Sequence, residues 1–238
     1  MDKFRYFDSE LEKLSNRLNQ MCELVESQVS DTMGALAKCN IQKAEYVVEN
    51  DNLVDRLDVK IDKLCQKIFA LNQPVASDLR FIMAALKINN DLERIGDHAV
   101  NIAKRIEPLA DYNNLITDLK LDSITCRVTI LLKDITSLVK TRNLTFATDI
   151  MREGAAIKED CKGINDQILD EMMHKNEIIT VATNLMIIVN LLERITGYSV
   201  NIAESIIFVV DGKIIKHRKK DKYLGNEEIP QDDDENEE

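Results

Sequence analysis

The 238-residue chain contains little proline, glycine or aromatic side chain: three Pro, seven Gly, no Trp, and 5% aromatic residues in all. β-Sandwiches and barrels need frequent turns, which favour Gly and Pro, and strands enriched in aromatic and β-branched residues. This chain is instead rich in Leu, Ile, Lys, Glu, Asp and Asn, a composition with few helix breakers. The sequence therefore predicts an all-α fold.

Several catalytic and targeting signatures are also missing. No Gly-rich phosphate-binding loop occurs, the three histidines lie outside any nucleophile motif, and the five cysteines show no metal-ligand spacing. No apolar run approaches the roughly 18–20 residues that span a bilayer, and the N-terminal segment has no apolar signal core. We therefore expect a cytoplasmic protein with reduced thiols.

The charge is concentrated at one end of the chain. The formal net charge is −11, but residues 227–238 hold eight acidic residues and no basic ones, so the preceding 226 residues carry only −3. A nearly balanced folded part argues against a nucleic-acid-binding surface. Residues 217–238, basic and then acidic, are predicted to be a disordered tail.

Apolar residues recur at helical spacing along the chain. Leu11, Leu14, Leu18, Met21 and Val25, for example, form one stripe on a long helix. Asn40 is a plausible cap of the second helix, and a linker follows Pro108. The patterns predict six helices and one linker, at about 8–37, 40–71, 77–107, 121–140, 143–174 and 179–215, with the linker at 110–118.

The two halves of the chain repeat one another. Residues 91–106 read DLERIGDHAVNIAKRI and residues 191–206 read LLERITGYSVNIAESI, with nine identities in sixteen positions. The same offset of one hundred extends back through the preceding turn without a gap. We interpret this as internal duplication giving two tandem three-helix bundles, with the first bundle at 1–108, the second at 109–216 and the tail at 217–238.

Two pairs of acidic residues stand out in the first half. Asp58 and Asp62 are four residues apart on one helix, and Glu93 and Asp97 are four apart on the next, so each pair shares a helix face. Antiparallel packing places the two pairs roughly level across the helix interface. Four clustered carboxylates repel one another, and hard cations such as Mg²⁺, Mn²⁺ or iron would remove that conflict. These four residues are candidate metal ligands.

Simpler interpretations remain open at this point. The acids could be solvated surface charges that pair with Lys60, Lys63 or Arg94. His98 could add a nitrogen ligand, but it points about 100° away from Asp97 around the helix. An E-x-x-H pair at 171–174 matches the di-iron signature of helical bundles, which needs two copies. It occurs once here, so an accidental surface pair is the favoured explanation.

Three segments together carry a family resemblance: DVKID at 58–62, QPVASDLR at 73–80 and LERIGDHAVNIAKR at 92–105. They resemble the PhoU family of phosphate-signalling regulators. The resemblance implies two tandem three-helix bundles with E(D)xxxD motifs that bind iron or other metal clusters. It also implies a cytoplasmic, commonly dimeric, non-enzymatic protein that represses the phosphate-starvation response. The resemblance further implies that the protein links the ATPase subunit of the phosphate ABC transporter to the sensor histidine kinase PhoR, and that it meets a membrane only indirectly, through these partners.

The resemblance carries over to the two halves unequally. In the first half the motif is complete, which implies a site for a divalent or trivalent metal (iron, Mn, Mg or Zn) at Asp58, Asp62, Glu93 and Asp97. In the second half only Glu193 is kept, and ammonium groups cannot ligate a metal. Lys158, Lys162 and Gly197 stand at the positions equivalent to Asp58, Asp62 and Asp97. We therefore predict no metal in the second half, with Lys158 or Lys162 supplying positive charge to Glu193. The neighbouring Glu159, Asp160 and Asp166 could rescue that site only if a local shift turned them inward.

The leading functional prediction is thus a negative regulator of phosphate uptake that works as a metal-binding helical adaptor. The alternative is a bundle-type di-metal enzyme, an oxidase or hydrolase. A third possibility is a bundle in which metal only ties helices together. The apolar run at 206–210 is either part of the core or a partner surface, and burial is the simpler explanation.

Overall fold

The computed structural model describes residues 3–212, apart from the side chains of residues 3–5, 113 and 114. This part of the chain is helical, without strands, which confirms the predicted all-α class. Residues 213–215 of the last predicted helix and the predicted tail lie outside the described residues. The described residues form eight α-helices: α1 (Lys3–Ala37), α2 (Ile41–Asn50), α3 (Asn52–Leu71), α4 (Ala76–Ala103), α5 (Asn113–Asp118), α6 (Leu121–Thr141), α7 (Leu144–His174) and α8 (Ile179–Asp211).

Polar side chains and glycine set several helix ends. Asn40 caps α2 as predicted, because its side chain accepts a hydrogen bond from the Lys43 backbone N–H at 2.9 Å. Asn143 caps α7 in the same way by accepting from the Thr145 N–H at 3.0 Å. Gly212, with φ of +71°, ends α8 in the left-handed conformation that favours glycine.

One predicted helix is in fact two. The helix expected over 40–71 breaks at Asp51 into α2 and α3, whereas its counterpart α7 is unbroken. Asp58 lies 18 residues after Asn40, but Lys158 lies only 15 residues after Asn143, so the first half has three extra residues. Three residues fall short of the 3.6-residue turn, so an unbroken helix would rotate every following side chain by about 60°. The break absorbs this difference.

The segment expected to be a plain linker also has structure. Residues Glu107–Tyr112 form a short 3₁₀ helix, and α5 follows directly. The reason is burial: Leu109, Ile116 and Leu119 pack into the core between the halves. The segment predicted as the linker, 110–118, is therefore largely helical and contributes to the core.

Burial repeats with the duplication. Eleven of the twelve buried residues of α4 have a buried residue 100 positions later in α8. The helices α1 and α6 correspond at an offset of 103, which aligns the capping asparagines. Each of the nine buried residues of α6 then has a buried counterpart in α1, namely Leu18, Met21, Cys22, Val25, Gln28, Val29, Thr32, Ala35 and Leu36. The two halves are copies of one packing plan.

The halves pack against each other through α1 with α6 and α4 with α8. Lys87 lies over the Phe208 ring at 6.0 Å, and the His98 and Tyr198 rings are 5.6 Å apart, so α4 and α8 run antiparallel. Within residues 3–212, α8 and the 3₁₀ turn before it form the one stretch apolar and long enough to cross a membrane by composition. Ile206, Ile207 and Val209 are buried in the common core, whereas Val210 is 44% exposed, so burial explains most but not all of the apolar run.

Candidate metal centre

The four predicted ligands lie along the groove between α3 and α4. Asp58 and Asp62 face this groove from α3, and Glu93 and Asp97 face it from α4; all four are partly exposed. The two helices pack on each other through buried apolar residues. The predicted juxtaposition of the two helices is therefore present.

A buried amide connects the two α3 carboxylates. Asn89 of α4 donates from Nδ2 to Asp58 Oδ1 at 2.6 Å, to Asp62 Oδ1 at 3.2 Å, and to the Asp58 backbone oxygen at 3.2 Å. Nothing in the spacing of acidic residues points to Asn89. A polar residue on the apolar face of an amphipathic helix is the signal that could have found it.

The α4 carboxylates contact an arginine. Arg94 lies 3.5 Å from Glu93 and 3.5 Å from Asp97, and its side chain is half exposed. This is one of the simpler pairings that the sequence left open. Exposed pairs of this length contribute at most about 1 kcal/mol, so Arg94 offsets only part of the repulsion between the acids.

Neighbouring negative charges contribute to a raised pKa at Asp58 and at Glu93. Burial, followed by the negative charge of Asp62, raises the pKa of Asp58. Burial also raises the pKa of Glu93, and the charges of Asp97, Asp58 and Asp55 add to it against the opposing effect of Arg94. A raised carboxyl pKa means that the ionised form is disfavoured, so a cation at this place would be attracted.

The cluster is larger than the sequence analysis recognised. Asp55 contributes to the raised pKa of Asp58 and Glu93, and Asp51 has a raised pKa caused by burial and by Asp55 and Asp97. Both residues continue the three-and-four spacing of the α3 acids. We call the six residues the acidic strip: Asp51, Asp55, Asp58, Asp62, Glu93 and Asp97.

The strip is not a closed coordination shell in this structure. Among residues 3–212, no three His, Cys, Asp or Glu side chains converge closely enough to hold a metal ion. The donor set is nonetheless entirely oxygen, which suits hard cations. The amide nitrogen of Asn89 also occupies the space between two carboxylates. The predicted ligands thus share one groove, with Asn89 bridging the α3 pair.

His98 is turned away from the strip. Its ring lies against Tyr198 of α8, and neither ring nitrogen has a hydrogen-bond partner. Burial, followed by the nearby Arg194 charge, lowers the pKa of His98. The E-x-x-H pair is dispersed as well: His174 contacts the Asp170 backbone oxygen at 2.8 Å, and Glu171 pairs with a lysine.

The second half is arranged differently, as predicted. Lys158 Nζ lies 3.6 Å from Glu193 Oε1, which confirms the expected lysine–glutamate pairing. Glu159, Asp160 and Asp166 are exposed rather than turned inward, and Asp160 pairs with Arg127 of α6. A Cβ added at Gly197, the position equivalent to Asp97, would meet nothing within 4 Å.

Known proteins match this fold and sequence over most of the chain. The crystal structure of PhoU from Pseudomonas aeruginosa superimposes with a TM-score of 0.82 at 29% identity, covering 87% of this chain and all of that one. The PhoU structure from Streptococcus pneumoniae gives a TM-score of 0.80 at 27% identity, with 88% and 99% covered.

Sequence relatives agree. The phosphate-specific transport system accessory protein PhoU homolog of Clostridium acetobutylicum is 31% identical over 210 residues, which are 88% of this chain and 96% of that protein. The PhoU accessory protein of Escherichia coli is 30% identical over 212 residues, 89% and 88% of the two chains. The PhoU domain model matches residues 18–106 and 127–206, one stretch in each half. The chain therefore belongs to the PhoU family of phosphate-transport accessory proteins.

Proposed function

We propose that this protein is a cytoplasmic negative regulator of phosphate uptake and of the phosphate-starvation response. It acts as an adaptor between the ATPase subunit of the phosphate ABC transporter and a PhoR-type sensor histidine kinase. The supporting observation is the match of both halves to the PhoU domain, with relatives named as accessory proteins of phosphate-specific transport. Accessory proteins of this kind are not named as enzymes, and no observation favours the di-metal oxidase or hydrolase.

The metal-binding part of the proposal depends on the acidic strip. A divalent or trivalent ion at Asp58, Asp62, Glu93 and Asp97 would neutralise carboxylates whose ionised form is disfavoured at Asp58 and Glu93. Bound there, the ion would supply positive charge and tie α3 to α4. Glu193 is already paired with Lys158, so the second half needs no ion.

Deletion of the gene tests the regulatory role. Alkaline phosphatase measured in phosphate-rich medium is expected to rise in the deletion strain and to return to its repressed level when the gene is restored. Unchanged repression would contradict the regulatory proposal for this protein. Co-purification with the transporter ATPase subunit, compared with the kinase alone, tests the two partners separately.

Metal analysis tests the site. The double substitution Asp58→Asn and Asp97→Asn removes two of four charges without removing bulk, and we expect it to abolish essentially all bound metal. Glu193→Gln is the matched control in the second half and should leave the metal content unchanged. Metal that persists in the double variant would show that the ion is bound elsewhere.

Self-association is proposed on the family resemblance alone. A homodimer is the expected state, and light scattering on the metal-free and metal-loaded chain measures it directly. A monomer under both conditions would refute this part of the proposal.

A further inference from the structure

Asn89 is the one polar side chain among the buried residues of α4. Its exposed fraction is 0%, and its sequence neighbours on the same face, Ile88 and Leu92, belong to the hydrophobic core. Burying an amide without hydrogen bonds costs about 1–3 kcal/mol on the scale of protein mutations. A residue kept at this position therefore needs compensating contacts.

The contacts of Asn89 satisfy the NH₂ group of its amide but not the carbonyl oxygen. The NH₂ group donates to Asp58 and Asp62, whereas Oδ1 is buried and accepts no hydrogen bond. Turning the amide over would place a carbonyl oxygen beside two carboxylates, which is unfavourable as long as no cation lies between them. With a cation present the preference reverses, because Asn carbonyl oxygens are good ligands of hard metal ions.

We propose that Asn89 is a further ligand of the metal ion at the acidic strip. When the ion binds, the amide turns over, so that Oδ1 faces the ion in the space that Nδ2 occupies in this structure. Without the ion, the NH₂ group holds the Asp58 and Asp62 carboxylates in place. The inference rests on the proposed metal site and adds a neutral oxygen that spacing of acids does not reveal.

Gln28 supports this inference from a different helix. It lies on α1 at the other end of the strip, is 9% exposed, and donates from Nε2 to Asp51 Oδ1 at 2.9 Å. Its Oε1 is likewise buried and without a hydrogen-bond partner. Two amides from two helices thus point their NH₂ groups at the strip and leave their carbonyl oxygens unused.

The second half lacks both amides. The position equivalent to Asn89 is Val189, and the position equivalent to Gln28 is Leu131; both are buried and apolar. The loss of the amides accompanies the loss of the carboxylates at Lys158 and Gly197. This joint change is expected if amides and carboxylates serve the same ion.

The test is calorimetric titration of the full chain with Mn²⁺. Asn89→Val, which introduces the residue of the second half, should weaken binding by at least about tenfold, the usual scale for losing a supporting group of a metal site. Asn89→Asp should retain binding, because it keeps an oxygen donor. Asn90→Val, at the exposed neighbouring position, is the matched control and should bind like the unmodified protein.

The outcomes separate this inference from the metal site itself. If the unmodified protein takes up no Mn²⁺, the proposed site fails and the ligand role fails with it. If Asp58→Asn abolishes binding but Asn89→Val leaves it unchanged or tighter, only the ligand role is overturned. If Asn89→Asp weakens Mn²⁺ binding as strongly as Asn89→Val does, the ligand role is also overturned, because Asn89 would then act only on the structure of the site.

A spectroscopic measurement reports on the amide directly. The side-chain NH₂ signals of Asn89, identified by their loss in Asn89→Val, should shift when Mg²⁺ is added to ¹⁵N-labelled protein, because the hydrogen bonds to Asp58 and Asp62 are broken. Unchanged signals at saturating Mg²⁺ would contradict the turning of the amide.

Discussion

A few side chains decide which half of the molecule can attract a cation. Lys158 and Lys162 replace Asp58 and Asp62, and Gly197 replaces Asp97, so the four-carboxylate pattern becomes a Lys158–Glu193 ion pair and one further lysine. Such a small number of differences makes the second half a candidate for restoration. The open space at Gly197 means that a Cβ added there meets no steric obstacle.

We predict that the triple variant Lys158→Asp, Lys162→Asp and Gly197→Asp binds one more metal ion per chain than the unmodified protein. The reason is that it rebuilds the four-carboxylate pattern on equivalent helices, and adding Val189→Asn should tighten the binding further. Elemental analysis of the dialysed protein gives the stoichiometry. The same triple variant carrying Glu193→Gln is the control, and extra metal in that control would show non-specific binding.

Asp134 on α6 provides a pH test that is independent of any metal. Burial raises the pKa of Asp134, and the charges of Asp149 and Glu153 on α7 raise it further. A carboxyl whose pKa is higher in the folded than in the unfolded state destabilises the fold at neutral pH. This destabilisation is relieved as the pH falls through the folded-state pKa towards the unfolded value.

We therefore expect Asp134→Asn to increase the free energy of unfolding at pH 7, by less than about 1 kcal/mol because the group is partly exposed and screened. The gain should vanish near pH 4, where the unfolded carboxyl titrates. Urea denaturation at several pH values measures this. Asp122→Asn, at an exposed position of the same helix, should show no gain, and a pH-independent gain for Asp134→Asn would exclude the electrostatic cause.

The acidic strip shows what spacing reveals about a site. The four predicted ligands are found along one groove because carboxylates four residues apart on a helix must share a face. Asn89 and Gln28 escaped prediction because an amide on an apolar helix face has the same sequence signature whether it is a core residue or a ligand. Arg94 could be named as a partner but not chosen, since its long side chain can reach several acids.

At the level of the helices, each bundle contains a close contact made by a glycine, but the glycine lies on α4 in the first bundle and on α7 in the second. In the first bundle Val54 of α3 faces Gly96 of α4, where an added Cβ would lie 3.4 Å from a Val54 methyl group. In the second bundle the glycine is on the other helix: Gly154 of α7 faces Thr196 and Val200 of α8. The equivalent positions have exchanged a large and a small residue.

We predict that Gly154→Ala destabilises the protein by up to about 2 kcal/mol. The new Cβ would lie 2.6 Å from a Val200 methyl group, and overpacking of a buried contact costs about 1–3 kcal/mol, against a gain of about 1 kcal/mol in helix propensity. The midpoint and slope of urea unfolding measure this.

The control for this prediction lies in the same chain. Gly197→Ala, at an open helical position, should gain stability through the propensity alone. Equal effects of the two substitutions would contradict the packing argument. Restoration of stability by combining Gly154→Ala with Val200→Ala would identify the contact responsible.

The positions of the long helices could be predicted from the sequence, whereas the break between α2 and α3 could not. Periodic apolar residues and the caps at Asn40 and Asn143 determine where the long helices begin. The break at Asp51 was not predicted, because Asp is tolerated within a helix and no proline or glycine marks the place. Only comparison of the two halves shows the three extra residues that require it.

The whole molecule is held together by contacts between its halves. Because α1 packs on α6 and α4 on α8, much of the apolar face of these helices is buried by the other half. The segments 1–108 and 109–216 remain predicted domains. Each would expose that apolar face if it were separated from the other.

We predict that residues 1–108 and 109–216, produced separately, are poorly folded, and that mixing them restores the helical far-ultraviolet signal and a single unfolding transition. The lost burial of the shared face is the reason. Circular dichroism and size-exclusion chromatography provide the measurement. A fragment that is monomeric and unfolds cooperatively by itself would show that its half is an independent folding unit.

The exchanged glycines also bear on how the chain reaches this structure. During folding, α3 can meet α8 and α7 can meet α4, since duplicated helices carry nearly the same apolar stripe, and such misassembly is a known hazard of repeats. Pairing α3 with α8 would place Val54 against Thr196 and Val200, with large residues on both sides of the contact. In the correct pair Val54 faces Gly96 instead, so the exchanged glycine favours α4 over α8 as the partner of α3 while the chain is still folding.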